Sequence, residues 1–361
     1  MEISMDKSIT IVQIAKESGV SIATVSRVLN GTVPVSPKTK ARVEAVIEKY
    51  NYSPNTLAQG LIRRQTKTLG VLVPDITNPY FSTLFSEIER IAHQFHYSVI
   101  LCNTSFTASS FHSGEKEKEK TYFQMIMDKK ADGVIVAGGQ LDLCQISDDY
   151  INALRRLASC IPTVLIGQEI PGIPGIFINR ENARDLEIPI RYLASLGHRR
   201  IGFTGGESGV SVTEARLSVY RDTLSKLEID ADPSLIETSD FYTSDGYLSA
   251  KRLLTIKKRP TALLAMNDYV ALGALRAAAD LGLSVPQDLS VVSCDAFCHS
   301  GFFTPRLTTL NRHDRRLGQY AIEVLLARIQ NTALPHRPDL SPELLLRESC
   351  ASITSRPESQ N

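Results

Sequence analysis

The sequence predicts a small all-α domain at the amino terminus, followed by an α/β core of two parallel-sheet lobes. Short amphipathic helices with clear start signals fill residues 10–52. From Leu69 onward, short apolar strands alternate with helix-length segments. The length of 361 residues and the hydrophobic content of 43% fit two or three domains, each with its own core.

Positive charge is concentrated at the amino-terminal end of the chain. Residues 1–66 hold nine Lys/Arg and five Asp/Glu, a net charge of +4, whereas the whole chain carries +1. This asymmetry indicates that the basic end meets a polyanion. The six cysteines form no C-x-x-C pair or metal-ligand cluster, and the sequence shows neither a signal peptide nor 18 consecutive apolar residues. We therefore expect a cytoplasmic protein with reduced thiols and no metal, cofactor or membrane contact.

Residues 10–52 divide into three short helices. Thr10 and Gln13 form a capping-box pair at the start of the first helix. The second helix starts at Ser21 and the third at Ser36. Two short helices joined by a glycine-containing turn, with a third helix to complete the core, form the helix-turn-helix pattern.

The second helix has an apolar stripe and an opposite face suited to a major groove. If its valines and leucine face the core, Ala23, Arg27 and Asn30 point outward. An arginine can bond guanine O6 and N7, alanine can contact a thymine methyl, and asparagine can bond a base edge or phosphate. Side chains at the helix start suit phosphate contacts. The candidate DNA-binding residues of this helix are Ser21, Ile22, Ala23, Thr24, Ser26, Arg27 and Asn30. An ordinary three-helix domain with a polar surface is the alternative.

The remaining chain predicts two parallel sheets. The predicted strands are residues 69–73, 97–102, 133–137, 163–166, 176–178, 201–205, 262–266 and 289–294. Helix-length segments between them include residues 80–95, 181–196, 213–227 and 268–281. Two blocks of alternating strands and helices predict two doubly wound subdomains. Ligands of such sheets lie beyond the carboxyl ends of the strands, so we expect a ligand in the cleft between the two lobes.

The stretch TIVQIAKESGVSIATVSRVLNG (residues 10–31) resembles the opening of the LacI/GalR family of bacterial transcription regulators nearly residue for residue. ATVSRVLN is among the most specific signatures of that family. Later stretches that also look like the family include VLVPDITNPYFSTLFSEIE, ADGVIVAG, LASLGHRRIGFTGG and ALLAMNDYVALGAL, so the resemblance spans roughly residues 8–350.

The resemblance implies a domain organisation for the whole chain. It places a helix-turn-helix domain at residues 1–52, a hinge helix or linker at 53–66, and an effector-binding and dimerisation core at 67–361. The implied core is similar to periplasmic sugar-binding proteins, with two Rossmann-like lobes. By that analogy, the N-lobe comprises about 67–178 and 311–337, and the C-lobe comprises about 179–310 and 338–350.

The segment SPNTLAQGLIRRQT (residues 53–66) reads by composition as a flexible basic linker. In the family, the corresponding segment is a hinge helix that packs against its partner's copy in the minor groove, where the residue matching Leu61 wedges into the central base step. A helix this short, with Gly60 inside it, is marginal alone and should form only on DNA. The resemblance therefore favours a hinge helix and adds Asn55 and Leu61 to the candidate DNA-binding residues. It also assigns base-edge contacts to the positions of Ile22, Ala23 and Arg27.

Candidate effector-binding residues lie after predicted strands and match family positions. They are Asp75, Asn78, Tyr80, Phe81, Arg216, Phe241, Asn267 and Asp295. Their polar groups can bond sugar hydroxyls, and their aromatic rings can stack on a sugar or a base. Each has a structural alternative, such as a helix cap for Asn267 or a core position for Phe81.

Two stretches depart from the family pattern. Asn179 and Arg180 stand where the family commonly has an acidic residue followed by an amide, and residues 207–215 do not resemble the arginine-bearing loop of purine-binding members.

The resemblance implies a homodimeric repressor of carbohydrate-utilisation genes that binds double-stranded operator DNA. Its effector would be a small sugar or sugar phosphate, with a nucleobase, a nucleoside or a protein corepressor as alternatives. An enzyme is not expected, because the chain lacks a P-loop, G-x-S-x-G, H-E-x-x-H and a G-x-G-x-x-G after a strand. A periplasmic binding protein would carry a signal peptide and would not begin with a helix-turn-helix.

Overall fold

The computed structural model of the protein describes residues 9–30, 34–50, 52, 65–105, 116–179 and 183–353. These residues form two compact units, one within residues 1–66 and the other from Lys67 onward. No helix within the described ranges has the length and apolar character needed to cross a membrane.

The amino-terminal unit contains three helices, α1 (Ile11–Ser18), α2 (Ile22–Asn30) and α3 (Pro37–Lys49). The predicted capping box is present, because Gln13 N donates to Thr10 Oγ1 and Thr10 N donates to Gln13 Oε1. Gly19 ends α1 at φ +61°, a left-handed conformation that suits glycine.

The core of this unit is small. Its buried apolar side chains are Ile14, Ala15, Val25 and Val43. Tyr50, at the end of α3, is exposed, and its Oη donates to Glu17 Oε1 at 2.7 Å. This hydrogen bond gives the Tyr50 hydroxyl a polar partner at the edge of the small core, and it joins the end of α3 to α1.

The N-lobe of the larger unit is a five-stranded parallel sheet in the order β2-β1-β3-β4-β5. Its strands are β1 (Thr68–Val73), β2 (Ser98–Asn103), β3 (Gly133–Ala137), β4 (Thr163–Ile166) and β5 (Ile176–Ile178). Its helices are α4 (Pro79–Gln94), α5 (Lys116–Asp128), α6 (Asp148–Cys160) and α11 (Asp314–Gln330). Apolar strands buried on both faces are expected of a parallel sheet covered by helices.

The C-lobe is a six-stranded sheet in the order β11-β10-β9-β8-β6-β7, in which only β11 runs antiparallel to its neighbour. Its strands are β6 (Ile201–Thr204), β7 (Ile236–Glu237), β8 (Ala262–Ala265), β9 (Ser290–Cys294), β10 (Thr308–Asn311) and β11 (Glu343–Leu345). Its helices are α7 (Glu187–Ser195), α8 (Ser211–Lys226), α9 (Thr243–Thr255) and α10 (Asp268–Asp280).

The predicted fold class is confirmed, and each predicted strand lies within one or two residues of an observed one. The prediction missed β7, β10 and β11. Two of them have only two or three residues, and β10 (TTLN) alternates too little in polarity to stand out. The chain passes between the lobes after β5, after β10 and after α11, so both lobes are discontinuous in sequence.

Candidate functional site

The outward face of α2 carries the residues predicted to read DNA. Val25 is fully buried, whereas Ile22, Ala23 and Arg27 are exposed, with Ile22 at 47%. The helix phase inferred from the sequence is therefore the one that the structure has. Asn30 ends α2, but its side chain lies outside the described part of the structure, as do Asn55 and Leu61.

Ser21 and Thr24 form the cap of this helix. Thr24 N donates to Ser21 Oγ at 3.2 Å, and the two hydroxyls are 2.9 Å apart. Thr24 and Ser26 are half-buried. The hydroxyls predicted to contact phosphate thus also fix the first turn of α2, a role that the sequence argument did not include.

A cleft of about 610 Å³ lies between the two lobes of the larger unit, at the carboxyl ends of their strands. All eight predicted effector residues line it: Asp75, Asn78, Tyr80 and Phe81 from the N-lobe, and Arg216, Phe241, Asn267 and Asp295 from the C-lobe. The structure therefore brings together residues that are up to 220 positions apart in the chain, as expected for facing doubly wound sheets.

Arg216 and Asp295 form an ion pair in the C-lobe wall of the cleft. Arg216 Nη2 donates to Asp295 Oδ1 at 3.1 Å, and Arg216 Nη1 donates to the main-chain oxygen of Met266 at 2.5 Å. Only 4% of Arg216 is exposed. Asp295 has a φ of +120°, an unfavourable conformation at the end of β9. The fold therefore holds both charged groups in fixed positions.

Arg312 is a cleft residue that the sequence argument missed. Its Nη1 lies 3.9 Å from Asp295 Oδ1, and its Nε lies 3.5 Å from Asp185 Oδ2. It follows β10, one of the strands that was not predicted, so the rule of searching strand ends could not find it. Asp295 is thus flanked by two arginines, and Arg312 links it to the segment between β5 and α7.

Several predicted ligand residues also have structural roles. Asn267 Oδ1 accepts from Val270 N at 2.8 Å, and its Nδ2 donates to the main-chain oxygen of Phe241 at 3.0 Å. Asn78 caps α4 by accepting from Tyr80 N at 3.1 Å. Phe81 is only 9% exposed and packs in the N-lobe core. These side chains therefore line the cleft and also stabilise the fold, as helix caps or as part of the core.

Two further residues beside Phe241 contribute polar groups that were not predicted. Tyr242 Oη donates to Asp75 Oδ2 at 2.5 Å, from one lobe to the other. Burial raises the pKa of the Asp240 carboxyl, and nearby Asp245 and Asp75 raise it further, although Phe241 N donates to it. Asp240 is thus a half-buried carboxyl whose charge is opposed by its surroundings.

Among the described residues of the cleft lining, carboxylates outnumber cations. The lining includes Asp75, Asp142, Glu207, Asp240 and Asp295, against Arg184, Arg216 and Arg312. Two of these arginines contact Asp295. Among the described residues, no three His, Cys, Asp or Glu side chains are grouped so that they could hold a metal ion.

The two stretches that depart from the family pattern both reach the cleft. Asn179 lines it, and its main-chain oxygen accepts from Arg337 Nη2 at 2.9 Å, while Arg180 lies outside the described residues. The loop after β6 contributes Glu207, Val210 and Ser211 to the lining.

Two family models match the chain. Residues 10–55 match the model described as bacterial regulatory proteins, lacI family, and residues 190–350 match a periplasmic binding protein-like domain.

Full-length relatives are similar across nearly the whole sequence. The chain is 32% identical over 349 residues to the HTH-type transcriptional repressor PurR of Haemophilus influenzae (strain PittEE), covering 95% of this chain and 99% of the relative. It is 34% identical over 346 residues to the PurR of Proteus mirabilis (strain HI4320), covering 95% and 97%.

Solved structures share the architecture. The Lac repressor dimer bound to operator and the anti-inducer ONPF superposes with a TM-score of 0.81 at 27% identity, covering 96% of this chain and all of that one. A LacI family transcriptional regulator from Enterococcus faecium with bound ribose superposes with a TM-score of 0.64 at 27% identity, covering 79% of this chain and 99% of that one.

Proposed function

The chain belongs to the LacI family of bacterial regulatory proteins and is a DNA-binding transcriptional repressor, and we propose that an uncharged, ring-shaped small molecule controls it from the interlobe cleft. Its relatives are transcriptional repressors rather than enzymes. Nucleobases and nucleosides are the effector class that we favour.

The DNA contact that we propose is made by the exposed face of α2. Arg27 supplies the bidentate donor for guanine, and Ile22 and Ala23 meet neighbouring base edges. Two copies of the chain, related by a twofold axis, would read two half-sites of a near-palindromic operator. The structure of the Lac repressor as a dimer on operator supports this arrangement for the present chain.

The charge balance of the cleft is the single observation that carries the effector proposal. Among the described lining residues, five carboxylates outnumber three arginines, and Arg216 and Arg312 both contact Asp295. An added phosphate or carboxylate would meet the surplus of negative charge that these described residues create. The cleft therefore favours an uncharged ligand over a sugar phosphate.

The aromatic lining favours a flat ring. Tyr80 and Phe81 border the cleft from the N-lobe, and Phe241 and Tyr242 border it from the C-lobe. Aromatic rings on both sides suit a planar ligand, and amide and carboxyl groups around them suit its ring N–H and carbonyl groups. The full-length relatives described above carry the name PurR rather than the name of a sugar regulator, which also supports the nucleobase class.

A neutral sugar is the second candidate effector. The Enterococcus faecium neighbour contains bound ribose, and carboxylates of the kind that surround this cleft readily accept bonds from sugar hydroxyls. An uncharged sugar is compatible with the charge balance in the same way as a base.

The experiment that tests the effector proposal is a thermal-shift screen of the full chain with matched ligands. Bases, their nucleosides and their 5′-monophosphates form one series, and ribose, glucose and their phosphates form another. We expect stabilisation by a base or nucleoside and none by its monophosphate. Stabilisation by a sugar alone would support the second candidate, and stronger stabilisation by the phosphates would refute the charge argument.

The operator proposal has an independent test. Selection of bound duplexes from a random DNA pool should yield a twofold-symmetric site. A selected site without twofold symmetry would show that the chain does not bind DNA as a symmetric dimer.

A further inference from the structure

Among the described residues, contacts at two places join the opposite lobes at the cleft. The first is the hydrogen bond from Tyr242 Oη, just before α9 in the C-lobe, to Asp75 Oδ2, just after β1 in the N-lobe. The second is an antiparallel main-chain bridge between Leu143 of the N-lobe and Val210 of the C-lobe. Next to it, Cys144 N donates to the main-chain oxygen of Gly209 at 2.9 Å.

The Asp75 carboxylate is also held by hydrogen bonds from within its own lobe. Thr77 N donates to Asp75 Oδ1 at 2.9 Å, and Thr77 Oγ1 lies 2.8 and 2.7 Å from the two carboxylate oxygens. Burial by itself would raise the pKa of Asp75, but the hydrogen bonds from Tyr242 and Thr77 outweigh it and lower the pKa. A phenol that donates to an ionised, fixed carboxylate makes a charge-assisted hydrogen bond.

The main-chain bridge is also sheltered from water. Leu143 is 6% exposed and Val210 is 9% exposed. Gln168 Nε2 donates to the main-chain oxygen of Leu143 at 2.8 Å, which fixes the N-lobe side of the bridge. On the C-lobe side, Gly209 N donates to Glu214 Oε1 at 3.1 Å.

We propose that these four residues, Asp75, Tyr242, Leu143 and Val210, form an interlobe clasp that holds the cleft closed through the chain's own groups. Tyr242 is the positioning residue of the clasp, because its hydroxyl is the side-chain donor that crosses between the lobes. Closure by the clasp does not depend on which effector binds. The link from closure to repression rests on the proposed function.

The clasp has a consequence for the effector. Asp75 and Tyr242 line the cleft, so the bond between them borders the space that the effector occupies. Separation of the lobes breaks this bond, so an effector that is released by opening of the lobes is released only after the bond breaks. Residence time therefore depends on the clasp as well as on the effector's own contacts.

Disulfide trapping across the main-chain bridge can measure closure directly. Residues opposite each other in an antiparallel bridge have Cα atoms about 4.5–5.5 Å apart, within the range that a disulfide spans. The test uses the full chain with Leu143→Cys and Val210→Cys in a Cys144→Ser background, without DNA or effector. The rate of bond formation in a glutathione redox buffer is followed, and peptide mapping identifies the bond.

Tyr242→Phe and Asp75→Asn are compared in this background. Tyr242→Phe removes the crossing bond, whereas Asp75→Asn leaves an amide oxygen that accepts a weaker, uncharged bond. We expect Tyr242→Phe to slow trapping about tenfold, Asp75→Asn to slow it less, and the double variant to trap at the rate of Tyr242→Phe. Tyr247→Phe is the matched control, because Tyr247 Oη donates to Asp280 Oδ2 at 3.1 Å within the C-lobe. It should trap at the parent rate.

Three outcomes would overturn the clasp: no trapping in the parent, equal rates in parent and Tyr242→Phe, or additive slowing in the double variant. Thermal melting shows whether each variant is folded. If Tyr242→Phe does not fold, the trapping rate of Asp75→Asn tests the clasp instead. Operator affinity is measured separately. If trapping slows while operator affinity is unchanged, the clasp stands and the link from closure to DNA binding is refuted.

Discussion

The helix face and the cleft present their functional side chains in opposite ways. On α2, Ile22 and Arg27 project from the surface of a unit whose buried core is four apolar side chains. In the cleft, Arg216 and Asn267 are almost fully buried and already bonded to the protein. In the proposed function, DNA therefore meets exposed groups, whereas an effector must exchange or share existing bonds. The cleft can therefore discriminate against ligands that break an existing hydrogen bond without forming a new one in its place.

The largest expected effect comes from removing a buried side chain of the amino-terminal unit, and it tests whether the two units differ in stability. Ile14→Ala removes a fully buried side chain from the small core and should cost about 2–5 kcal/mol, comparable with the whole stability of so small a domain. Hydrogen exchange should show loss of amide protection across residues 11–49 and retention in the larger unit. Ile135→Ala, equally buried in the N-lobe, is the control and should leave residues 11–49 protected. Loss of protection in both units from either change would mean that they do not unfold independently.

A buried charge should matter more in the cleft than an exposed one elsewhere. Asp295→Asn leaves Arg216 buried without its carboxylate and should lower the free energy of unfolding of the larger unit by about 3 kcal/mol. Glu237→Gln breaks the more exposed pair with Arg252 and should cost about 1 kcal/mol or less. Urea denaturation followed by circular dichroism measures both. Equal costs would show that burial does not distinguish the cleft pair.

The exposed face of α2 should affect recognition without affecting stability. Arg27→Ala should weaken operator binding by about 1–3 kcal/mol and relax the preference at one base pair of each half-site. Arg42→Ala, an exposed arginine on α3, removes the same charge and should not change the preferred base. Binding to operators substituted at each position, at fixed salt, separates the two effects. An unchanged preference in Arg27→Ala would exclude it from base reading.

The smallest expected effect is the loss of one helix-capping hydrogen bond, which can be compared between the two units. Thr10 caps α1 and Ser147 caps α6, and in each cap a main-chain N–H donates to the side-chain hydroxyl oxygen. Replacing either with alanine should cost about 1 kcal/mol. Only Thr10→Ala should measurably raise the fraction of its unit that is unfolded, because that unit has less stability in reserve. Protection factors of α1 and α6 report the two losses, and a larger loss in α6 would contradict the comparison.

The contrast between the α2 face and the cleft also explains which functional residues could be predicted from the sequence. The outward face of α2 follows from helix periodicity alone, so the exposure of Ile22, Ala23 and Arg27 was predictable. The eight cleft residues could be found at strand ends and family positions. Arg312 and Tyr242 could not, because their roles arise from pairing between distant segments, and β10 gives no periodic signal. Sequence patterns report the local conformation, whereas the partner of a buried polar group is set by tertiary packing.

The placement of α11 has a consequence for how the protein is made. This helix is residues Asp314–Gln330, yet Leu317, Ile322 and Leu325 pack into the core of a lobe whose first strand begins at Thr68. During synthesis the N-lobe therefore cannot be completed until about nine-tenths of the chain has been made. The helix-turn-helix, finished within the first 50 residues, can fold much earlier. The helix-turn-helix can thus form on a nascent chain well before either the N-lobe or the interlobe cleft is complete.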